Sequence, residues 1–128
     1  MEDLVGVPFA PRGRTREGLD CWGLHRLAVL LETGVDLPSY ADLYVDAAES
    51  AENARLIAGL MSGWGEVPAG SEKRLDVVLM RVGRYACHVG TVLRPGRMLH
   101  TYSGGAVRIG HYRTGLFKDR VVGFFRHS

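Results

Sequence analysis

With 128 residues, 46% apolar and 23% charged, the chain has the size and composition of one ordinary globular domain, residues 1–128, able to bury its own core. Its formal charge is only +2, from 16 Lys and Arg against 14 Asp and Glu, an excess too small and scattered to argue for nucleic acid. No stretch approaches the ~20 apolar residues of a membrane span, and the acidic opening Met1-Glu2-Asp3 lacks the basic region of an export signal, so a cytoplasmic start is expected.

From Val7 to Gly18 the chain reads as a loop, punctuated by Pro8, Pro11, Gly13 and Gly18, with Arg12, Arg14 and Arg16 alternating. A first helix is predicted to begin at Cys21. Asp20 is a good N-cap, and Leu19 and Leu24 stand at the positions of a hydrophobic staple. Leu24, Leu27, Ala28 and Leu31 form one apolar stripe, and Gly34 ends the helix. A second helix is expected from about Ala47 to Met61, with Ala54, Ile57, Ala58 and Met61 as its stripe. After Gly70 the pattern becomes that of strands, at Leu75–Arg81, His88–Leu93, Arg97–Tyr102, Ala106–Ile109 and Val121–Arg126. Helices first and antiparallel strands second predict an α+β fold, with the start of the first helix against the middle of a small sheet.

The two cysteines, Cys21 and Cys87, have neither disulfide-scaffold density nor Cys-x-x-Cys spacing, so free thiols and no metal or cofactor are expected. At a helix start, backbone N–H groups and the positive end of the dipole stabilise a thiolate, which is what a nucleophile at Cys21 needs. Asp20 opposes this unless its carboxylate is committed to capping. Gly23, costly inside a helix by ~1 kcal/mol, fits a close approach to the backbone. The alternative is a small buried cysteine of purely structural use, and Cys87, beside a strand, fits that role better.

Among the histidines, His25 lies off the leucine stripe and is expected at the surface or rim; His111 and His127 are expected in solvent. His88 and His100 stand on adjacent strands. Together with a cysteine at a helix start facing the sheet, they have the layout of nucleophile, base and orienting residue. This needs a particular register. A plain two-residue turn at Pro95-Gly96 would put His88 on the face of Leu99, so an odd loop or one bulge is required, and the odd register is predicted.

The run Pro8-Phe9, Arg12-Gly13 and Gly18-Leu19-Asp20-Cys21-Trp22-Gly23-Leu24, then Asp76-Val77-Val78-Leu79, His88-Val89-Gly90 and Gly96-Arg97-Met98-Leu99-His100, resembles the NlpC/P60 cysteine peptidases. The Asp-Cys-Trp-Gly-Leu form and the ending Arg120 to His127 are similar to the branch encoded with phage tails and gene transfer agents. The resemblance covers nearly the whole chain. It implies a papain-like core and hydrolysis of peptide bonds in bacterial cell-wall stems, with Cys21 as nucleophile, His88 as base and His100 orienting the imidazole. Substrate contacts are expected from Asp20, Trp22, Arg12 and Phe9; the Arg12, Arg14 and Arg16 run could bind carboxylates of the wall stem, with a solvated basic loop as the alternative.

Two departures stand out. Phe9 replaces a tyrosine whose hydroxyl usually points toward the nucleophile, and Trp22 replaces a serine, an indole that could narrow the cleft. The implied partners are a peptidoglycan stem peptide and phage or gene-transfer-agent tail proteins, with neither nucleic acid nor membrane. The implied route is from the producing cell's cytoplasm, in a phage-like particle, to the target cell wall or periplasm. A structural tail-tip module, a maturation protease for a tail protein, and a zinc site at Cys21, His88 and His100 are the rival possibilities.

Overall fold

The computed structural model describes residues 1–39, 54–55, 57–59 and 62–127, without the side chain of Cys87. Most of the second predicted helix, Ala47 to Met61, lies outside the described residues. Within it, residues 54–55 and 57–59 are helical and Ile57 is buried in the core.

The first helix, α1 (Cys21–Thr33), begins and ends where its caps require. Asp20 is extended and its side chain accepts from the Gly23 N–H, while Gly34 takes the left-handed conformation at φ 77° that glycine tolerates best. Leu19 and Leu24 pack in one cluster, as a hydrophobic staple should. The buried side of α1 differs from the leucine stripe. Leu31 is 47% exposed, whereas Trp22, His25 and Val29 are buried with Leu24 and Ala28. The helix is covered on two sides: Trp22 and Val29 meet Val77, Leu79 and Val89 of the sheet, and Leu24 and Ala28 meet Leu4, Leu19, Leu99 and Val107. The expected surface position of His25 is therefore corrected. Its ring faces the sheet at 0% exposure, with Nδ1 2.8 Å from the Thr91 hydroxyl.

Among the described residues there are eight strands. A short hairpin joins β1 (Arg14–Thr15) to β2 (Gly18–Leu19). The remainder are β3 (Gly65–Val67), β4 (Val77–Val82), β5 (Tyr85–Arg94), β6 (Arg97–His100), β7 (Arg108–His111) and β8 (Val121–Arg126). These six form one sheet in the order β3-β8-β4-β5-β6-β7, with every neighbouring pair antiparallel. The architecture is the predicted mixed α+β one. β4 starts two residues later than predicted because Leu75 has φ 75°, outside the strand region. β7 starts at Arg108, since Ala106 instead bridges to Pro8. Among the described residues no helix is long and apolar enough to cross a membrane.

The β5–β6 hairpin has the odd register, reached through a bulge and not a longer loop. Arg94 pairs with Arg97 around Pro95-Gly96, with Gly96 at φ 92°, yet Val92 pairs with Met98, so Leu93 is the extra residue. Thr91 then faces Leu99, and His88, Gly90 and His100 fall on one side of the sheet. That side carries Val78, Met80, Val92, Met98, Tyr112, Phe117 and Phe124; α1 covers the other.

Candidate active site

At the start of α1 the Asp20 carboxylate is committed twice. Its Oδ1 accepts the Gly23 N–H at 2.7 Å and Arg14 Nη1 at 2.7 Å. A carboxylate so capped and paired no longer stands as an uncompensated charge beside the thiol. Cys21 itself, the first residue of α1, is half-buried and packs against the cluster of Trp22, Val77, Leu79 and Val89. Gly23 is needed for packing: a Cβ there would lie 1.9 Å from the Gly13 carbonyl oxygen, where the N-terminal loop crosses the first helical turn.

Of the residues expected to meet the substrate, Asp20 and Trp22 are buried. Asp20 is 3% exposed, and Trp22 is 1% exposed with its indole N–H donating to the Pro38 carbonyl at 3.0 Å. The indole packs against Val77, Leu79 and Val89 of the sheet. Phe9 is half-buried, its N–H bonded to the Gly105 carbonyl. Of the alternating arginines, Arg14 is tied to Asp20 and Arg16 to Asp3 at 2.9 Å, while Arg12 is exposed with φ 59°.

The structure joins the two histidines that the register brings together. His88 Nε2 lies 3.1 Å from His100 Nδ1, with both side chains buried. His88 also stacks on Phe117, ring centroids 5.6 Å apart and planes 12° apart. The tautomer in which His88 Nε2–H donates to His100 Nδ1 leaves the His88 Nδ1 lone pair ready to take a proton.

His100 is held from its far side by the absence of a side chain. A Cβ at Gly110 would lie 2.5 Å from His100 Nε2. Gly110→Ala is expected to displace the ring and lower turnover by about a hundredfold, the scale of a 1 Å misplacement. Thermal unfolding should change far less, and a fully active variant would show that the ring needs no such support.

His88 is paired with Met80 on the face away from α1, whereas Cys21 packs with Val89, the next residue of β5. Beside His88, β5 carries a bulge: Met80 pairs with His88 and Arg81 with Ala86, which makes Cys87 an extra residue. Such bulges re-aim neighbouring side chains.

Burial, reinforced by His100, pushes the His88 ring down to about 3, and burial with Arg108 nearby pushes His100 down to about 4. His25 is pushed down to about 3 by burial and by His127. All three rings are neutral at pH 7, the state in which an imidazole can act as base. The unfolded chain binds the extra protons below about pH 6.5, so stability is full above that pH and falls as pH drops toward 4. One such ring contributes about 1.4 kcal/mol per pH unit; with three, the fall below pH 6 should be steeper. Denaturant titrations at pH 7, 6 and 5 measure it, and a flat profile would contradict neutral burial.

His111 and His127 are exposed, as expected. Among the described residues no group of three or more His, Cys, Asp or Glu side chains could hold a metal ion. Sequence reasoning missed Tyr102, Arg108 and Phe117 beside the histidines. Tyr102 stands two residues after His100 and Arg108 pairs with His100 across β6–β7, both readable once the register is known. Phe117 comes from a distant 3-10 turn, Gly115–Phe117, and carries no local signal.

Comparison with solved structures defines the fold. The crystal structure of the NlpC/p60 domain of peptidoglycan hydrolase SagA matches with a TM-score of 0.68 at 19% identity, over 98% of this chain and 91% of that one. A Staphylococcus aureus Mu50 protein described as similar to a lipoprotein of the NLP/P60 family matches at TM-score 0.68 and 20% identity. That match takes 97% of this chain but 37% of the other, so the chain spans little more than a third of that protein. No curated protein matches. The NlpC/P60 family model matches residues 6–126, and the chain belongs to the NlpC/P60 family.

Proposed function

We propose that the chain is a cysteine peptidase that hydrolyses an amide bond in peptidoglycan stem peptides, with Cys21 as nucleophile, His88 as base and His100 as the residue orienting His88. The observation that carries this is the buried, neutral His88–His100 pair, set by a bulged register on the strand against which the α1 start packs. Family membership and the likeness to a peptidoglycan hydrolase domain support the substrate class.

Cys21 gives its proton to His88 Nδ1 and attacks the amide carbonyl. Asp20 takes the N–H groups of Gly23 and Leu24, through its side chain and its carbonyl. The oxyanion therefore falls to N–H groups earlier in the turn, that of Cys21 among them. His88 then protonates the leaving amine and, in the second half, activates the water that releases the acyl group. Arg12, exposed on the loop before α1, and half-buried Phe9 flank the substrate. The Asp20-Cys21-Trp22-Gly23-Leu24 run supports carriage in a phage-like particle, from the producer's cytoplasm to the target wall, among tail proteins.

Muropeptide mass spectrometry tests the reaction. Gram-negative sacculi incubated with the wild type under reducing conditions should yield fragments cut within the stem, absent with Cys21→Ala. Intact stems after incubation with folded wild-type protein would contradict it.

A further inference from the structure

One turn of α1 after the thiol, a buried imidazole meets the strand that carries His88. His25 stands four residues after Cys21, on the same face of the helix, and Thr91 stands three residues after His88 on β5. His25 Nδ1 lies 2.8 Å from the Thr91 hydroxyl, and both residues are 0% exposed. The rings of Trp22 and Trp64 each lie with their centroids 5.7 Å from that of His25. Its Nε2 has no hydrogen-bond partner among the described residues.

An imidazole costs more than an apolar side chain at such a position. A leucine would fill the space with no polar atom to desolvate, whereas the ring buries two nitrogens and bonds one. What the ring adds is direction. Trp22 and Val29 also join α1 to the sheet, on Val77, Leu79 and Val89, but these contacts are apolar and non-directional. Thr91 lies on a stretch of β5 that is bulged at both ends, at Cys87 and at Leu93, where the ladder alone fixes the strand least. We propose that the His25–Thr91 hydrogen bond pins the thiol-bearing helix to the base-bearing strand, which makes His25 and Thr91 positioning residues for the reaction of Cys21 with His88. This rests on the proposed function and adds to it two residues that act only through Cys21 and His88.

Thr91→Val removes the hydroxyl at nearly constant volume, and Thr91→Ser keeps it. Thr91→Val is expected to lower kcat on stem peptides at least about tenfold with little change in KM, within the hundredfold that a 1 Å misplacement can cost. Thr91→Ser should recover most of that loss. The double variant His25→Leu/Thr91→Val removes both polar groups, so it should regain the stability that Thr91→Val loses, because no buried nitrogen is left seeking a partner. Its kcat should nonetheless stay low. Wild-type kcat in folded Thr91→Val, or recovery of kcat together with stability in the double variant, overturns the proposal and leaves the bond a structural one.

Alkylation of Cys21 reads the same geometry without turnover. Iodoacetamide at pH 7, with the modified site located by peptide mapping, should label Cys21 about tenfold more slowly in folded Thr91→Val and in the double variant than in the wild type. Thr91→Ser should label nearly as fast as the wild type. Equal rates in all four proteins overturn the pin. Stem peptides left intact by a wild type whose Cys21 shows the expected labelling pattern would instead count against the proposed hydrolysis and leave the pin standing.

Discussion

Cys21→Ala is expected to abolish hydrolysis while folding as the wild type does. The substitution removes a single sulfur from a half-buried position and leaves the Asp20 cap untouched, because that cap binds the Gly23 N–H and not the side chain of residue 21. Alanine is also the best residue for a helical position. Stability should therefore move by less than about 1 kcal/mol, while turnover falls by roughly 10⁵ to 10⁶, the scale of removing a covalent nucleophile. Far-ultraviolet circular dichroism with thermal melting checks the first part, and release of stem fragments checks the second. A folded Cys21→Ala protein with full activity would remove Cys21 from the chemistry.

Asp20→Ala should produce the largest loss of stability. The change deletes the helix cap, worth about 0.5–2 kcal/mol in other helices. It also removes a carboxylate that is 5% exposed from beside the Arg14 guanidinium, whose side chain is 11% exposed and keeps its hydrogen bonds to Ser39 and Gly13. Breaking a buried pair from one side typically costs about 3–5 kcal/mol. The two effects share one oxygen atom, so the total is expected near that range and not at the sum. Asp20→Asn keeps an acceptor for the Gly23 N–H but removes the charge, and should recover part of the loss. Urea unfolding of the two variants separates cap from ion pair, and a shift below about 1 kcal/mol in both would show that neither holds the helix start.

The parts of the fold that the sequence made legible are those set by local chemistry. Asp20 and Gly34 mark both ends of α1 because a cap and a left-handed glycine are requirements of the backbone itself. The strands carrying His88 and His100 were readable from short β-rich runs, and their register from one requirement, that two imidazoles share a face. What was lost depended on contacts made far along the chain. His25 looked peripheral because the leucine stripe of α1 seemed to mark its only buried side. The helix is covered by the sheet and by the N-terminal segment together, and the sheet side runs through Trp22, His25 and Val29.

Trp22 beside the thiol looked like part of a cleft for a similar reason. Neighbours in sequence on a helix point about 100° apart, so a residue next to a reactive one can belong wholly to the core. The strands β1, β2 and β3 have two or three residues each, too few for alternation to show. Leu75 was placed inside a strand because apolar pattern does not reveal a positive φ.

We propose that the buried histidine pair activates the thiol at the helix start. Iodoacetamide labelling of the wild type and of His88→Ala at pH 7, with peptide mapping to separate Cys21 from Cys87, tests this most directly. Modification at Cys21 is expected to be rapid in the wild type and slower by about a hundredfold in His88→Ala. Equal labelling rates in the two folded proteins would contradict it, and would show that His88 does not serve the thiol.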